Sequence, residues 1–195
     1  MLSNLKQYNI ILASASPRRK ELLEKIGIDF KIKLIDGIDE SYPKGLDGDE
    51  IVKYISQKKA EAHLKQISDK DLIITADTIV YANNSVFGKP KNYEEAKQML
   101  KSLSGKTHLV ITGVTIATHL KRRTFAVQSE VSFAQLSDVE LDYYINTYRP
   151  YDKAGAYGIQ EWIGMIGVNR LNGCFFNVMG LPIHHIYQEL KNFNK

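Results

Sequence analysis

One cysteine, Cys174, in 195 residues excludes an internal disulfide and any zinc site built from several thiolates, and it suits a reducing compartment. Its apolar neighbour Phe175 marks it as a packing residue rather than a nucleophile. No stretch approaches the roughly 18 consecutive apolar residues that a membrane helix requires, so no membrane contact is expected. Ser14 and Arg18 cut short the apolar run that follows Met1–Tyr8, so no signal peptide is expected and the cytoplasm is the expected location. Net charge is small, with 26 Lys and Arg against 22 Asp and Glu leaving +4. That suits a small acidic substrate, and it lacks the dense basic stripe of a nucleic-acid binder. Five histidines form no metal cluster; His184 and His185 are adjacent and stand about 100° apart on a helix. Internal repeats and low-complexity segments are absent. So is a dinucleotide fingerprint, because no G-x-G-x-x-G follows a strand. Ser104-Gly105-Lys106-Thr107 imitates the end of a P-loop, but Leu100 stands where the first glycine belongs, and a helix precedes where a strand should. It reads as a helix-to-strand turn.

What is present is alternation of strand and helix, which favours an α/β fold. The length suits one domain over 1–195, with room for two lobes. Short apolar strands are expected at Ile10–Ala13, Ile32–Ile38 and Leu72–Ala76, the last ending at Asp77. A tight turn at Asn83-Asn84 would pair Ile79–Ala82 with Ser85–Phe87. Helices are expected over Asp49–Gln66, Tyr93–Leu103, Asp138–Tyr148 and Pro182–Phe193. Thr107–Thr118 and Thr124–Gln135 read as a long antiparallel hairpin through a mixed central sheet flanked by helices. The hairpin offers a surface on which a homodimer could form.

The most informative stretch is Ile10–Leu23. A buried strand runs into Ser14-Ala15-Ser16-Pro17-Arg18-Arg19-Lys20, with Ser16 at the N-cap, Pro17 at the first helical position and Gly27 past the end. Three cations on the first turn, at the positive end of the helix dipole, read either as solvated side chains on a capped helix or as a phosphate site. Asp77, at the end of its expected strand, stands at the edge where α/β sheets place ligands; such a carboxylate can also merely cap a neighbouring helix.

These segments resemble the Maf family of nucleotide pyrophosphatases. The resemblance continues in order through Lys58-Lys59-Ala60, Ala76-Asp77-Thr78-Ile79-Val80, Phe87-Gly88-Lys89-Pro90 and Leu103-Ser104-Gly105. It ends with Asp152-Lys153-Ala154-Gly155-Ala156-Tyr157-Gly158-Ile159-Gln160 and Asn177-Val178-Met179-Gly180-Leu181-Pro182, and so spans about Ile10 to Pro182. It implies a two-lobed fold similar to that of the inosine triphosphate pyrophosphatases. It also implies hydrolysis of dTTP and UTP to the monophosphate and pyrophosphate, a nucleotide house-cleaning role.

Several site assignments follow from the same resemblance. Asp77 is the expected general base, or alternatively a metal ligand. Glu40, in a loop otherwise read as solvated, would join it in holding a divalent cation, Mg or Mn. Ser14, Ser16, Arg18, Arg19, Lys59 and Lys89 would meet the nucleoside triphosphate, and Arg18, Thr78 and Gln160 would set the base preference; Lys153 is a third cation that either helps bind the triphosphate or pairs with a nearby acid. Glu161-Trp162 departs from the family pattern, which often has glycine after the glutamine, and adds bulk and charge beside Gln160. Within the same class, a methylated guanine nucleotide is an alternative substrate. A nucleic-acid-binding module using Tyr143, Tyr144, Tyr148 and Tyr151, or a division regulator without catalysis, is an alternative outside it. Stable nucleic-acid binding is not expected, because the acidic loops at Asp39-Glu40 and Asp47–Glu50 would repel a phosphate backbone.

Overall fold

The computed structural model describes residues 2–82 and 84–193. Strands are β1 Asn9–Leu12, β2 Lys31–Ile32, β3 Asp71–Ala82, β4 Ser85–Phe87, β5 Thr107–Ala117, β6 Arg122–Phe133 and β7 Val168–Asn172. Helices are α1 Pro17–Lys25, α2 Gly48–Leu64, α3 Tyr93–Leu103, α4 Asp138–Tyr148, α5 Trp162–Gly167, α6 Phe175–Val178 and α7 Ile183–Lys191, with 3-10 turns at Ser3–Leu5 and Ala154–Ala156. The strands hydrogen-bond in the order β2-β1-β3-β5-β6-β7, and β4 also pairs with β3. β1 is parallel to β2 and to β3, whereas β4 and β7 run antiparallel to β3 and β6, so the sheet is mixed. The expected long hairpin is β5–β6. No helix among the described residues is long and apolar enough to cross a membrane.

The chain divides into two compact units. One comprises Met1–Asp77, Thr112–Val127 and Gly180–Lys195, the other Thr78–Ile111 and Gln128–Met179, so the division falls inside β3, β5 and β6.

In the first unit, Ile11, Ile73, Ala60 and Ala117 form a buried cluster, with Leu64 and Ile67 packed against it. Helix α2 begins with a capping box in which Asp47 accepts from the Glu50 amide and the Glu50 carboxylate accepts from the Asp47 amide, so its first turn has local partners. It then lies unusually close to β5, because Gly113 offers no side chain. A Cβ at Gly113 would fall 2.3 Å from the Val52 carbonyl oxygen, which is backbone and cannot rotate away. Buried hydroxyls hold the same contact. The Ser56 hydroxyl donates to Lys53 O at 2.9 Å, so the hydrogen on its 3.0 Å contact with Thr115 comes from Thr115. Thr75 Oγ1 donates to Ser56 O at 2.7 Å. Gly113→Ala is expected to cost about 2 kcal/mol or more by forcing α2 outward, measured as a fall in the urea midpoint without a change in slope.

In the second unit, α3 and α4 occupy the intervals their periodicity predicts. Leu100 and Leu103 of one, and Leu141, Tyr144 and Ile145 of the other, are buried.

Two expectations are corrected. The Leu72–Ala76 strand does not end at Asp77; β3 continues to Ala82, because Thr78, Ile79, Val80 and Tyr81 all favour extended backbone. The strand expected over Ile32–Ile38 is confined to Lys31–Ile32. Ile32 and Leu34 remain about half exposed, at 45% and 52%, because the pairing with β1 ends at Leu12. Edge strand β7, which no reading anticipated, has only Val168 and Leu171 half-buried, so its sequence shows little hydrophobic pattern. Of the expected Asn83-Asn84 turn, Asn83 lies outside the described residues, and Asn84 adopts the left-handed conformation.

Candidate active site

The parallel pairing of β1 with β3 stops at Leu12 opposite Ile74, and the Ala13 amide still donates to Ile74 O at 2.9 Å. The chain then turns away into Ser14 and α1. Pro17 opens the helix and Gly27, at φ 71°, follows its end, as the sequence predicts. Ser16 takes the N-cap position but makes no side-chain bond to the first turn. Ser14, 8% exposed, accepts from the Ser16 amide at 3.3 Å and from Arg19 at 3.2 Å.

Arg19 turns inward. Its Nη1 also donates to Ala76 O and its Nε to Gly180 O, both at 2.8 Å. One planar guanidinium therefore joins the β1–α1 turn, the β3 backbone and the start of the α7 approach. Desolvation draws its pKa below the ordinary arginine value, partly opposed by the charge of Asp77.

Asp77 lies within β3, between the residues that pair with β1 and those that pair with β4. Its Oδ1 is 2.8 Å from Lys59 Nζ, and the same ammonium is 3.1 Å from Glu40 Oε1. Lys59 comes from α2, one turn beyond Ser56. Glu40 comes from a loop set by its neighbour Asp39, whose carboxylate accepts from the Ser41 amide at 2.9 Å, the Ser41 hydroxyl at 2.7 Å and Lys58 at 3.1 Å. These bonds, Ser41's above all, hold the Asp39 carboxyl down at about 2. Consecutive lysines on α2 thus hold consecutive acids in the loop. The pairing of Lys58 with Asp39 escaped sequence reasoning, because nothing in a run of lysines says which acids it will face.

Glu40 and Asp77 converge on one cationic group and offer hard oxygen donors. That set fits Mg or Mn, ions ordinarily held by one or two carboxylates with the remaining ligands from water and substrate phosphates. Among the described residues no three His, Cys, Asp or Glu side chains gather to hold a metal by themselves, so water and phosphate oxygens would complete the shell.

Arg18 stands half-buried on the first turn of α1; the second unit carries the other candidates. Thr78 is the next residue along β3. Lys89 is exposed between Gly88 and buried Pro90, and its loop is anchored by the Gly155 amide donating to Gly88 O at 3.0 Å. Lys153 is buried, with its ammonium 2.7 Å from Asp152 and 3.1 Å from Glu161. Gln160 is exposed. Glu161, read from sequence as bulk and charge beside Gln160, instead directs its carboxylate toward Lys153 and the hydroxyl of Tyr144. Tyr144 is fully buried and so is no open base platform, and half-buried Tyr148 stacks on it at 5.2 Å. Trp162 meets Tyr143 edge-on at 4.8 Å.

The model of the family described as Maf-like protein matches residues 9–193. A Parabacteroides distasonis protein named dTTP/UTP pyrophosphatase is 56% identical over 193 residues, covering 99% of this chain and 100% of that protein. Proteins of the same name from Phocaeicola vulgatus and Porphyromonas gingivalis are 56% and 52% identical, over 98% and 100% of this chain and 99% of each relative. Among solved structures, the Staphylococcus aureus Ham1 protein shares the fold at a TM-score of 0.55 and 14% identity, with 96% of this chain and 100% of that chain covered. By the extent of the family match and the identity of these relatives, the chain belongs to the Maf-like protein family.

Proposed function

We propose that this chain hydrolyses dTTP and UTP between the α and β phosphates, giving the nucleoside monophosphate and pyrophosphate. The observation that carries the reading is the Glu40–Lys59–Asp77 cluster, with both carboxylates on one ammonium. The full-length identity to proteins named for that activity supports the same substrates.

Water attacks the α phosphorus, and the bond to the β-phosphate bridging oxygen breaks, so pyrophosphate leaves. Asp77 accepts the proton of the attacking water. A triphosphate brings negative charge to Lys59, which loosens the hold of that ammonium on Asp77 and leaves the carboxylate able to take the proton. Arg18, Arg19, Lys59, Lys89 and Lys153, with Ser14, Ser16 and the first turn of α1, bind the phosphates and balance charge developing on their oxygens. Glu40 would hold a divalent cation, joined by Asp77 only in the alternative in which Asp77 is a ligand and not the base; the ion would supply charge neutralisation and polarisation of the phosphate. Arg18, Thr78 and Gln160 read the base; an amide and a hydroxyl match the donor and acceptor edge of uracil and thymine.

The test is pyrophosphate against orthophosphate release from a panel of nucleoside triphosphates with Mg or Mn. Pyrophosphate from UTP and dTTP ahead of the other nucleotides is the expected result. Release from a purine nucleotide instead would move the base assignment, and orthophosphate as the sole product would overturn the reaction.

A further inference from the structure

Between Lys153 and Glu161 the chain is held by one carboxylate. Glu161 Oε2 accepts from the Tyr144 hydroxyl, and Oε1 is 3.1 Å from Lys153 Nζ. The Tyr144 oxygen in turn accepts from the Gly158 amide at 3.0 Å. Tyr144 is 0% exposed, and burial together with Glu161 raises its pKa, so its hydroxyl keeps the proton it donates. Helix α4 thus fastens residues 158 and 161 through the buried Tyr144, and Glu161 extends the hold to Lys153.

Gln160 lies directly over this fastening. A Cβ placed on Gly158 would fall 2.9 Å from Gln160 Nε2 and 2.9 Å from Glu161 Cδ, so both side chains flank the bare α-carbon of Gly158. The Glu161 amide also donates to Gly158 O at 3.0 Å, which closes a tight turn with Gln160 at its exposed corner. A half-buried charge pair is weak support for stability alone, since apolar packing would serve as well. What this arrangement does provide is a fixed backbone turn beneath one neighbouring side chain, that of Gln160.

We propose that Glu161, fastened by Tyr144 and Lys153, is a positioning residue for base selectivity that orients Gln160 through Gly158 without touching the nucleotide. The inference rests on the reading that Gln160 meets the base. It assigns the charge after Gln160 to the support of that residue rather than to the substrate.

The test compares kcat and KM for UTP, dTTP and CTP in wild type, Glu161→Ala, Glu161→Gln and Tyr144→Phe, with thermal unfolding recorded for each. Glu161→Ala is expected to lower the UTP-to-CTP ratio of kcat/KM about tenfold, chiefly by raising KM for UTP. Glu161→Gln still accepts from Tyr144 and should recover most of the ratio. If Glu161→Ala does not fold, Tyr144→Phe, which keeps the Lys153 pair, should move the ratio in the same direction. A ratio unchanged in every folded variant, with all nucleotides slowed alike, would overturn the inference and leave Glu161 a purely structural residue. A wild-type protein without base preference would instead remove the reading of Gln160. Amide hydrogen exchange would then still decide on the fastening: faster exchange at Gly158 and Gln160 in Glu161→Ala supports it, and unchanged exchange overturns it.

Discussion

Asp77→Asn is expected to lower kcat for pyrophosphate release about a thousandfold, within the range that general-base removal produces. Asparagine keeps the shape of the side chain, and its Oδ1 can still accept from Lys59, which now lies 2.8 Å from the carboxylate. What it cannot do is take a proton from water. The fold should therefore survive, with Lys59 still paired to Glu40 at 3.1 Å. KM should hold steady or fall, because removing a carboxylate lessens repulsion of the incoming phosphates; a loss confined to kcat marks an interaction made in the transition state. The measurement is steady-state pyrophosphate release at saturating UTP, beside a circular dichroism melt. A variant that keeps more than about a tenth of the wild-type rate would place the base elsewhere.

Acidification should destabilise the second unit through His108, a buried residue to which no chemistry is assigned. His108 is 2% exposed, its Nε2 2.7 Å from the Tyr157 hydroxyl and its ring against Phe133 at 5.1 Å. Its Nδ1 has no hydrogen-bond partner among the described residues, so a proton placed there would be buried without an acceptor. Burial accordingly holds this imidazole down at about 4, against an ordinary value of 6.5. The unfolded chain takes up the proton first as pH falls through 6.5, while the folded chain resists until about 4. Stability is therefore complete above the unfolded value, declines across that window and levels off below it. The loss attributable to His108 is about 3 kcal/mol. Urea unfolding of wild type against the double variant His108→Leu/Tyr157→Phe checks it, since the variant removes the titration without stranding the Tyr157 hydroxyl. Carboxylates titrate in both proteins and cancel in the comparison. Parallel pH profiles would show that His108 gains its proton without unfolding anything.

The helices were legible because their patterns are local. Tyr93–Leu103 and Asp138–Tyr148 start at side chains, Asn92 and Ser137, that accept from the amide three residues on. Their buried faces follow the helical period. The β1–α1 turn was legible for the same reason, since Pro17 and Gly27 each meet a backbone requirement of their own position, although Ser16 takes the N-cap position without a capping bond. Strand lengths were less so. Whether Asp77 ends a strand or lies within one depends on the partners available to β3, and the partner along Asp71–Ile74 differs from the partner along Val80–Ala82.

Composition, capping residues and apolar period thus determined the α/β class, the positions of α1 to α4 and α7 but not of the short α5 and α6, and the residue types available for phosphate chemistry. The direction of the charged side chains was decided by the tertiary structure alone. Arg19 turns from the first helical turn toward Gly180, 161 residues away in the chain; Lys59 finds both Glu40 and Asp77; Glu161 turns from solvent to Lys153 and Tyr144. The physical reason is common to all three. A charged side chain near a protein surface gains little from any fixed direction until a desolvated partner of opposite charge or an unpaired carbonyl is brought within reach, and only the folded chain brings such partners together.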